Sequence, residues 1–226
     1  MVILITALEK DFDKKLAAAF TVGKHKVYAL GGETSEQNEL SGVTPLSSDL
    51  NKAVELIQKE GGHIDIYIDV TDKRSASDNF NVRSGVNDDV MRELYEANVI
   101  RPMKLLETFL PLIEAGEHKR LCYLTSAQAS INETRETDGL GYKMAKAGLH
   151  NFLQITRNVL APRGFTIRAY DPCTEGAINE KVSAELSAQA ALNYFSRRRG
   201  MERDDPNRDD EGNLVFRDAY GRQHSW

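Results

Sequence analysis

Three side chains in the middle of the sequence have the types and spacing needed for proton transfer to an oxygen atom. Tyr142 and Lys146 form a Tyr-x-x-x-Lys pair, and Ser126 precedes the tyrosine by 16 residues. On a helix, residues four positions apart share a face, so the phenol and the ammonium group would point the same way. A nearby ammonium group favours the phenolate and lowers the pKa of a tyrosine. The pattern predicts acid/base chemistry on a hydroxyl or carbonyl group, with Ser126 holding the substrate oxygen.

The segments around these residues alternate between strand-like and helix-like patterns. Apolar runs predict strands at 2–7, 26–30, 64–70, 120–126 and 166–172. Amphipathic patterns predict helices at about 12–20, 50–61, 90–113 and 141–160. Such alternation gives a doubly wound parallel sheet with right-handed crossovers, a three-layer α/β/α fold. Ser126 then lies at the carboxyl end of a strand, where such sheets bind ligands, and Tyr142 follows on the next helix.

Composition and charge are those of an ordinary soluble domain. The 226 residues are 41% hydrophobic, which suits a single domain over 1–196 followed by a separate segment at 197–226. The net charge of −5 argues against nucleic acid or an anionic membrane as the main partner. Cys122 and Cys173 lack metal-ligand spacing, so no metal site is predicted. The N-terminus has no signal-peptide pattern, and we expect a cytoplasmic protein with reduced thiols.

Further motifs make residues 1–180 similar to the short-chain dehydrogenase/reductase family. The segment ELYEANVIRPMKLLETFLPLI resembles the family's fourth helix, and its Asn98 falls at the place of a catalytic asparagine. Ser126, Tyr142 and Lys146 match the other three catalytic positions, with a Ser–Tyr spacing slightly longer than is common. LAPRGFTIRAYDPC resembles the strand that leads to the family's Pro-Gly. The resemblance implies a Rossmann-like fold and an oxidoreductase that transfers a hydride between a nicotinamide cofactor and a hydroxyl/carbonyl substrate.

The same resemblance assigns a role to each matching residue. Tyr142 would exchange a proton with the substrate oxygen, and Lys146 would bond the nicotinamide ribose and lower the pKa of Tyr142. Ser126 would orient the substrate oxygen, and Asn98 would hold a water molecule that relays protons to Lys146. The cofactor site would also include the following residues: Ala7 in the first turn, Asp49 at the adenine, and Pro172 after the last matching strand.

The cofactor end departs from the family pattern. The family places Gly-x-x-x-Gly-x-Gly after the first strand, and here Ala7, Asp11 and Asp13 take the three glycine places. Side chains at the last two places crowd the phosphate path. Each carboxylate at about 5 Å would repel a pyrophosphate by roughly 3 kcal/mol at an effective dielectric near 20. Asp69-Val70-Thr71-Asp72 replaces Asn-Asn-Ala-Gly, and Cys173 replaces the glycine of Pro-Gly.

Two hypotheses therefore remain open. The first is an NAD(P)-dependent short-chain oxidoreductase with weak or absent cofactor binding; NAD is slightly favoured over NADP, because no arginine follows the second strand and Glu33 is near. The alternative is a divergent member that has lost dinucleotide binding. Such a protein would serve as a binding or scaffold subunit, or would perform cofactor-free acid/base chemistry with Ser126 and Tyr142.

The C-terminal segment and two helices bear on assembly. Residues 197–211 are rich in Arg and Asp, whereas the last 14 residues return to a strand-like pattern whose apolar side chains need burial. This arm could pack on its own subunit, on a partner subunit or over the active-site cleft. The predicted helices 90–113 and 141–160 carry many apolar side chains: Met91, Leu94, Tyr95, Leu105, Phe109, Leu149, Phe152 and Leu153. With the family resemblance, they predict a homodimer or homotetramer.

Overall fold

The structure, a computed structural model, describes residues 1–31, 40–174, 181–197 and 212–226. The strands are β1 (Val2–Ile5), β2 (Lys26–Leu30), β3 (Val43–Leu46), β4 (Ile66–Asp69), β5 (Arg120–Leu124), β6 (Thr166–Asp171) and β7 (Val215–Asp218). The α-helices are α1 (Asp11–Val22), α2 (Leu50–Lys59), α3 (Asp88–Tyr95), α4 (Arg101–Glu114), α5 (Leu140–Leu160) and α6 (Ala184–Ser196). A π-helical turn, Glu96–Ile100, joins α3 to α4.

The seven strands form one parallel sheet in the order β3-β2-β1-β4-β5-β6-β7. Helices cover both of its faces, which is why the strands read as continuous apolar runs. In β1, Ile3 and Ile5 enter the core beneath α1 and α6, while Leu4 enters the core beneath α2, α4 and α5. The predicted three-layer, doubly wound α/β fold is confirmed.

The sequence patterns did not predict two elements, the strand β3 and the helix α6. β3 is a short edge strand that contains Pro45, and a proline without an N–H group is tolerated at a sheet edge. α6 buries mostly small side chains, so its amphipathic pattern is weak; Ser183 caps its first turn by accepting from Leu186 N. The predicted long helix 90–113 is interrupted by the π-helical turn. Pro102 lies in the first turn of α4, where its missing N–H group costs nothing.

The described part of the C-terminal arm extends the sheet of its own chain. β7 pairs in parallel with β6, and Leu214 and Phe216 are buried in the core. The Trp226 ring meets the His150 ring with centroids 4.8 Å apart. The described part of the arm therefore packs on its own subunit, which is one of the three positions predicted from the sequence. The stretch 198–211 lies outside the described residues.

Candidate active site

Tyr142 is held in place by the way α5 begins. Gly139 adopts a left-handed φ of 69°, which lets the chain turn sharply into the helix. The buried carboxylate of Asp78, from the loop after β4, accepts hydrogen bonds from Gly141 N at 2.9 Å and Tyr142 N at 2.7 Å. Asp78 thereby caps the first turn of α5, whose N–H groups have no partner within the helix. Lys146 lies one turn later on the same face, as the spacing predicted.

The Lys146 ammonium group ties together the carboxyl ends of two strands. Its side chain is fully buried, and Nζ donates to Thr71 O at 2.6 Å and to Leu124 O at 3.1 Å. A carboxylate oxygen of Asp72 lies 3.5 Å away. Burial lowers the pKa of Lys146, and the Asp72 carboxylate opposes part of that effect. Lys146 is therefore a fixed cation at the edge of the sheet.

The Tyr142 hydroxyl lies between a carboxylate and a guanidinium group. Oη donates to Asp72 Oδ1 at 2.5 Å and accepts from Arg74 Nη2 at 2.9 Å. The guanidinium carbon of Arg74 lies 4.1 Å from the centre of the tyrosine ring. Burial raises the pKa of Tyr142 well above its ordinary value, and the charge of Asp72 raises it further. The predicted lowering of the Tyr142 pKa is therefore wrong, because burial and Asp72 outweigh the lowering effect of the Arg74 guanidinium group.

Asp72 is the centre of the site, although its sequence position indicated only a departure from the family pattern. In addition to its contacts with Tyr142 and Lys146, its Oδ2 lies 2.9 Å from Lys10 Nζ and 3.4 Å from Arg74 Nε. Burial alone would raise the pKa of Asp72, but the three cations hold it well below its usual range. We call Asp72 with Lys10, Arg74, Tyr142 and Lys146 the Asp72 cluster.

Ser126 reaches this cluster through a neighbouring side chain. It is buried after β5 and begins a short 3₁₀ turn, Ala127–Ala129, with Oγ accepting from Gln128 N at 3.3 Å. The side-chain oxygen of Gln128 accepts from Arg74 Nη1 at 2.9 Å. Arg74 therefore connects the serine turn with the tyrosine.

Asn98 fixes the backbone next to Asp72. It is fully buried in the π-helical turn, and its Nδ2 donates to Lys73 O at 2.9 Å and to Leu94 O at 3.0 Å. Its Oδ1 accepts from Lys73 N at 3.0 Å. Both polar groups of the Lys73 backbone thus depend on one amide. The proposed water relay through Asn98 stays a prediction.

The first turn after β1 borders the same site. Ala7, Lys10, Asp13, Asp72 and Arg74 line part of a cavity of about 350 Å³. The Asp13 carboxyl is buried and accepts from Lys10 N at 2.9 Å and Glu9 N at 3.2 Å, while its other oxygen, Oδ1, has no hydrogen-bond partner among the described residues. Burial raises the pKa of Asp13 to about 7. Asp11, by contrast, is exposed.

The other predicted cofactor residues serve local structure. Asp49 is exposed and caps α2 by accepting from Asn51 N at 3.0 Å. Pro172 follows β6, and its carbonyl accepts from Ser187 Oγ at 2.7 Å. Cys173 has a φ of 53°, so the backbone keeps the left-handed conformation that favours the glycine it replaces. Glu33, which entered the NAD preference, lies outside the described residues.

Solved structures share this architecture over the whole chain. A short-chain dehydrogenase/reductase from Burkholderia multivorans with bound NADP matches with a TM-score of 0.77 and 18% identity, covering 100% of this chain and 99% of that one. An NADPH-bound carbonyl reductase from chicken fatty liver matches with a TM-score of 0.79 and 16% identity, covering 100% and 98%. The chain has the short-chain dehydrogenase/reductase fold.

Sequence comparison finds partial matches to proteins that are named oxidoreductases. An uncharacterized oxidoreductase of Schizosaccharomyces pombe is 24% identical over 141 residues, which are 60% of this chain and 54% of that protein. A second from the same yeast is 27% identical over 104 residues, 46% and 40% of the two chains. The chain spans about half the length of the curated relatives it matches. No family model matches it.

Two carboxyl groups oppose a nicotinamide dinucleotide in the arrangement that the side chains have here. The Asp72 carboxylate already contacts both Tyr142 and Lys146, the two groups expected to meet substrate and ribose. The buried Asp13 carboxyl takes the N–H groups of Glu9 and Lys10 at the start of α1, where a phosphate would need donors. The expected preference for NAD is not supported, because the two solved structures described above carry NADP or NADPH.

In the part of the chain that the structure describes, no three His, Cys, Asp or Glu side chains are grouped closely enough to hold a metal ion. Nor does any helix in those ranges have the length and apolar character needed to cross a bilayer.

Proposed function

We propose that the chain is an oxidoreductase of the short-chain type that acts on a hydroxyl/carbonyl pair of a small substrate. One observation carries the proposal: Tyr142 and Lys146 stand one helical turn apart at the carboxyl ends of β4 and β5, in a fold shared with carbonyl reductases. The yeast relatives named oxidoreductases support the same class of reaction.

The proposed roles follow from the contacts of each side chain. Tyr142 carries the hydroxyl that would exchange a proton with the substrate oxygen, and Arg74 would stabilise negative charge on either oxygen. Lys146 is fixed by two backbone carbonyls, so it would act through its charge and position. Ser126 would orient the substrate, and Asn98 would hold the Lys73 backbone in register.

A nicotinamide cofactor is part of this proposal, and NADP(H) is the form to test first because it appears in the names of the solved structures. We expect weak binding, since Asp72 and Asp13 oppose it in the present arrangement. Purified protein should therefore be titrated with NADPH and with NADH by calorimetry, followed by turnover with a panel of small aldehydes and ketones.

The test of the tyrosine uses Tyr142→Phe, with Tyr95→Phe on α3 as the matched control because Tyr95 is half exposed and lies outside the cluster. Tyr142→Phe should lower turnover by about a hundredfold or more, because it removes the hydroxyl group that carries the transferable proton. Tyr95→Phe should keep wild-type turnover. Full activity in Tyr142→Phe, or no turnover by the wild-type protein with either nucleotide, would contradict the proposal.

The 2.5 Å contact between Tyr142 and Asp72 favours a second candidate, cofactor-free acid/base chemistry. In that case Ser126 would orient the substrate and Tyr142 would exchange a proton with it, while Arg74 stabilises an oxyanion. The two candidates differ in a simple control: turnover of a hydroxy- or oxo-substrate without added nucleotide supports the second and counts against the first.

We also propose that the protein is a homodimer. α3, α4 and α5 border an exposed groove of about 700 Å³ that includes Tyr95, Met103, Ile155 and Val159. Most of the side chains named for this role from the sequence, such as Leu94, Leu105 and Leu149, are buried within one subunit. The exposed apolar residues of the groove are those we expect to meet a second copy.

A further inference from the structure

The carboxylate of Asp72 is coordinated as a bound ligand would be. Oδ1 contacts Tyr142 Oη and Lys146 Nζ, and Oδ2 contacts Lys10 Nζ and Arg74 Nε. The donors come from three separate parts of the chain, namely the first turn, the loop after β4 and α5. The Asp72 side chain is only 10% exposed. The cluster is thus a complete binding site for one planar anion.

We propose that Asp72 is an internal ligand that closes this site, and that an anionic ligand reaches Tyr142 and Lys146 only by displacing it. The inference rests on the proposed function, because it concerns the same site. It identifies Asp72, rather than Asp11, as a residue that limits the affinity for a dinucleotide. Asp11 is exposed on α1, whereas Asp72 holds the two groups that any reacting ligand must contact.

The surroundings of Asp72 are suited to such an exchange. The neighbouring backbone is fixed by the Asn98 amide, so the side chain is the part that can move. Lys10 and Arg74 keep 34% and 31% of their side chains exposed, and both line the 350 Å³ cavity. An incoming anion can therefore contact these two cations before Asp72 leaves Tyr142 and Lys146.

The ligand class follows from the donors. Two ammonium groups, one guanidinium group and one phenol fit an anion that presents two or more oxygen atoms, either a carboxylate or a phosphate. The phosphates of NADP(H) belong to this class, and formate is the smallest carboxylate that copies the Asp72 head group. A binding experiment with NADPH and with formate therefore shows whether the ligand is the dinucleotide or a simple carboxylate.

The test compares the wild-type protein with Asp72→Gly and Asp72→Asn, using calorimetric titration with NADPH and with formate at one ionic strength. Asp72→Gly empties the cluster, and it should bind NADPH at least about tenfold more tightly, because one like charge next to the ligand is removed. Formate should bind Asp72→Gly and compete there with NADPH. Asp72→Asn keeps the shape without the charge and should give a smaller gain. Asp88→Asn, an exposed aspartate at the start of α3, is the control and should leave both affinities unchanged.

The outcomes separate this inference from the proposed function. Formate binding to Asp72→Gly without tighter NADPH binding supports the internal ligand and counts against the oxidoreductase. Equal affinities of wild type, Asp72→Gly and Asp72→Asn for both probes overturn the inference, even if the wild-type protein turns over a carbonyl substrate. Should Asp72→Gly not fold, Asp72→Asn decides alone: affinities for both NADPH and formate within about twofold of wild type overturn the inference.

Discussion

His224 fastens the C-terminal arm to the loop after β5, and we predict that this contact makes stability depend on pH. Its Nδ1 lies 2.8 Å from Glu133 Oε2, and its Nε2 lies 3.0 Å from Asp218 Oδ2. The hydrogen bond to Asp218, with a further one to Glu133, raises the pKa of His224 to about 9 from 6.5. The folded protein therefore holds this proton more tightly than the unfolded chain.

The sign follows from that difference. A raised histidine pKa stabilises the fold fully below the unfolded value of 6.5, and the contribution is lost as the pH rises through about 9. The gap of about 2.5 pH units corresponds to roughly 3.4 kcal/mol at 1.36 kcal/mol per unit. Because the ring remains partly in contact with solvent, screening reduces this to about 1.5 kcal/mol.

The perturbation is His224→Gln, and the assay is urea unfolding of both proteins at pH near 6 and near 10. At the lower pH the variant should be less stable by about 1.5 kcal/mol, and at the higher pH the difference should nearly vanish. The comparison cancels other groups that titrate in this range, because both proteins contain them. A difference of equal size at both pH values would refute the reasoning, since it would mean that His224 acts through packing on Phe216 alone.

Three further predictions can be tested with purified protein. Asp13→Asn should raise the free energy of unfolding at pH 8 by on the order of 2–4 kcal/mol relative to its effect at pH 5. The reason is that folding raises the pKa of Asp13 from 3.8 to about 7, so the folded state opposes ionisation of this carboxyl group at pH 8. Equal effects of the substitution at both pH values in urea unfolding would contradict this prediction. Val159→Glu, in the exposed groove, should convert the proposed dimer to a monomer in light scattering, whereas Lys52→Glu on α2 should not; an unchanged mass for Val159→Glu would argue against the groove. Truncation after Arg199 removes β7 with the buried Phe216, so thermal unfolding should shift down by several degrees, and an unchanged midpoint would show that β7 adds nothing to the sheet.

The fold could be predicted because its signals are local. Apolar runs such as 120–126 mark buried parallel strands, and the four-residue spacing of Tyr142 and Lys146 marks one helix face. β3 and α6 carry weak versions of these signals, a proline in one and a face of small residues in the other, and they were missed.

The chemistry of the site could be predicted only in part. The strand ends predicted that Ser126, Tyr142 and Lys146 lie close together. They did not predict the hydrogen-bond partners of Tyr142, because Asp72 and Arg74 are about 70 residues away in the sequence. The direction of the tyrosine pKa depends on burial and on that carboxylate, neither of which a motif encodes. One usable signal existed: Asp72 replaces a glycine after β4, and Ser126 follows the neighbouring strand β5.

The π-helical turn at Glu96–Ile100 has a consequence for how this region tolerates change in length. An α-helix rotates by about 100° per residue, so a turn with one extra residue shifts the phase of everything that follows. This shift lets Leu94 of α3 face the start of α5 while Phe109 of α4 faces the sheet. Deleting a single residue here would restore a regular α-helix, but it would rotate the buried face of either α3 or α4 towards solvent. Insertions and deletions should therefore be excluded from this turn and accepted in the exposed loop 135–138.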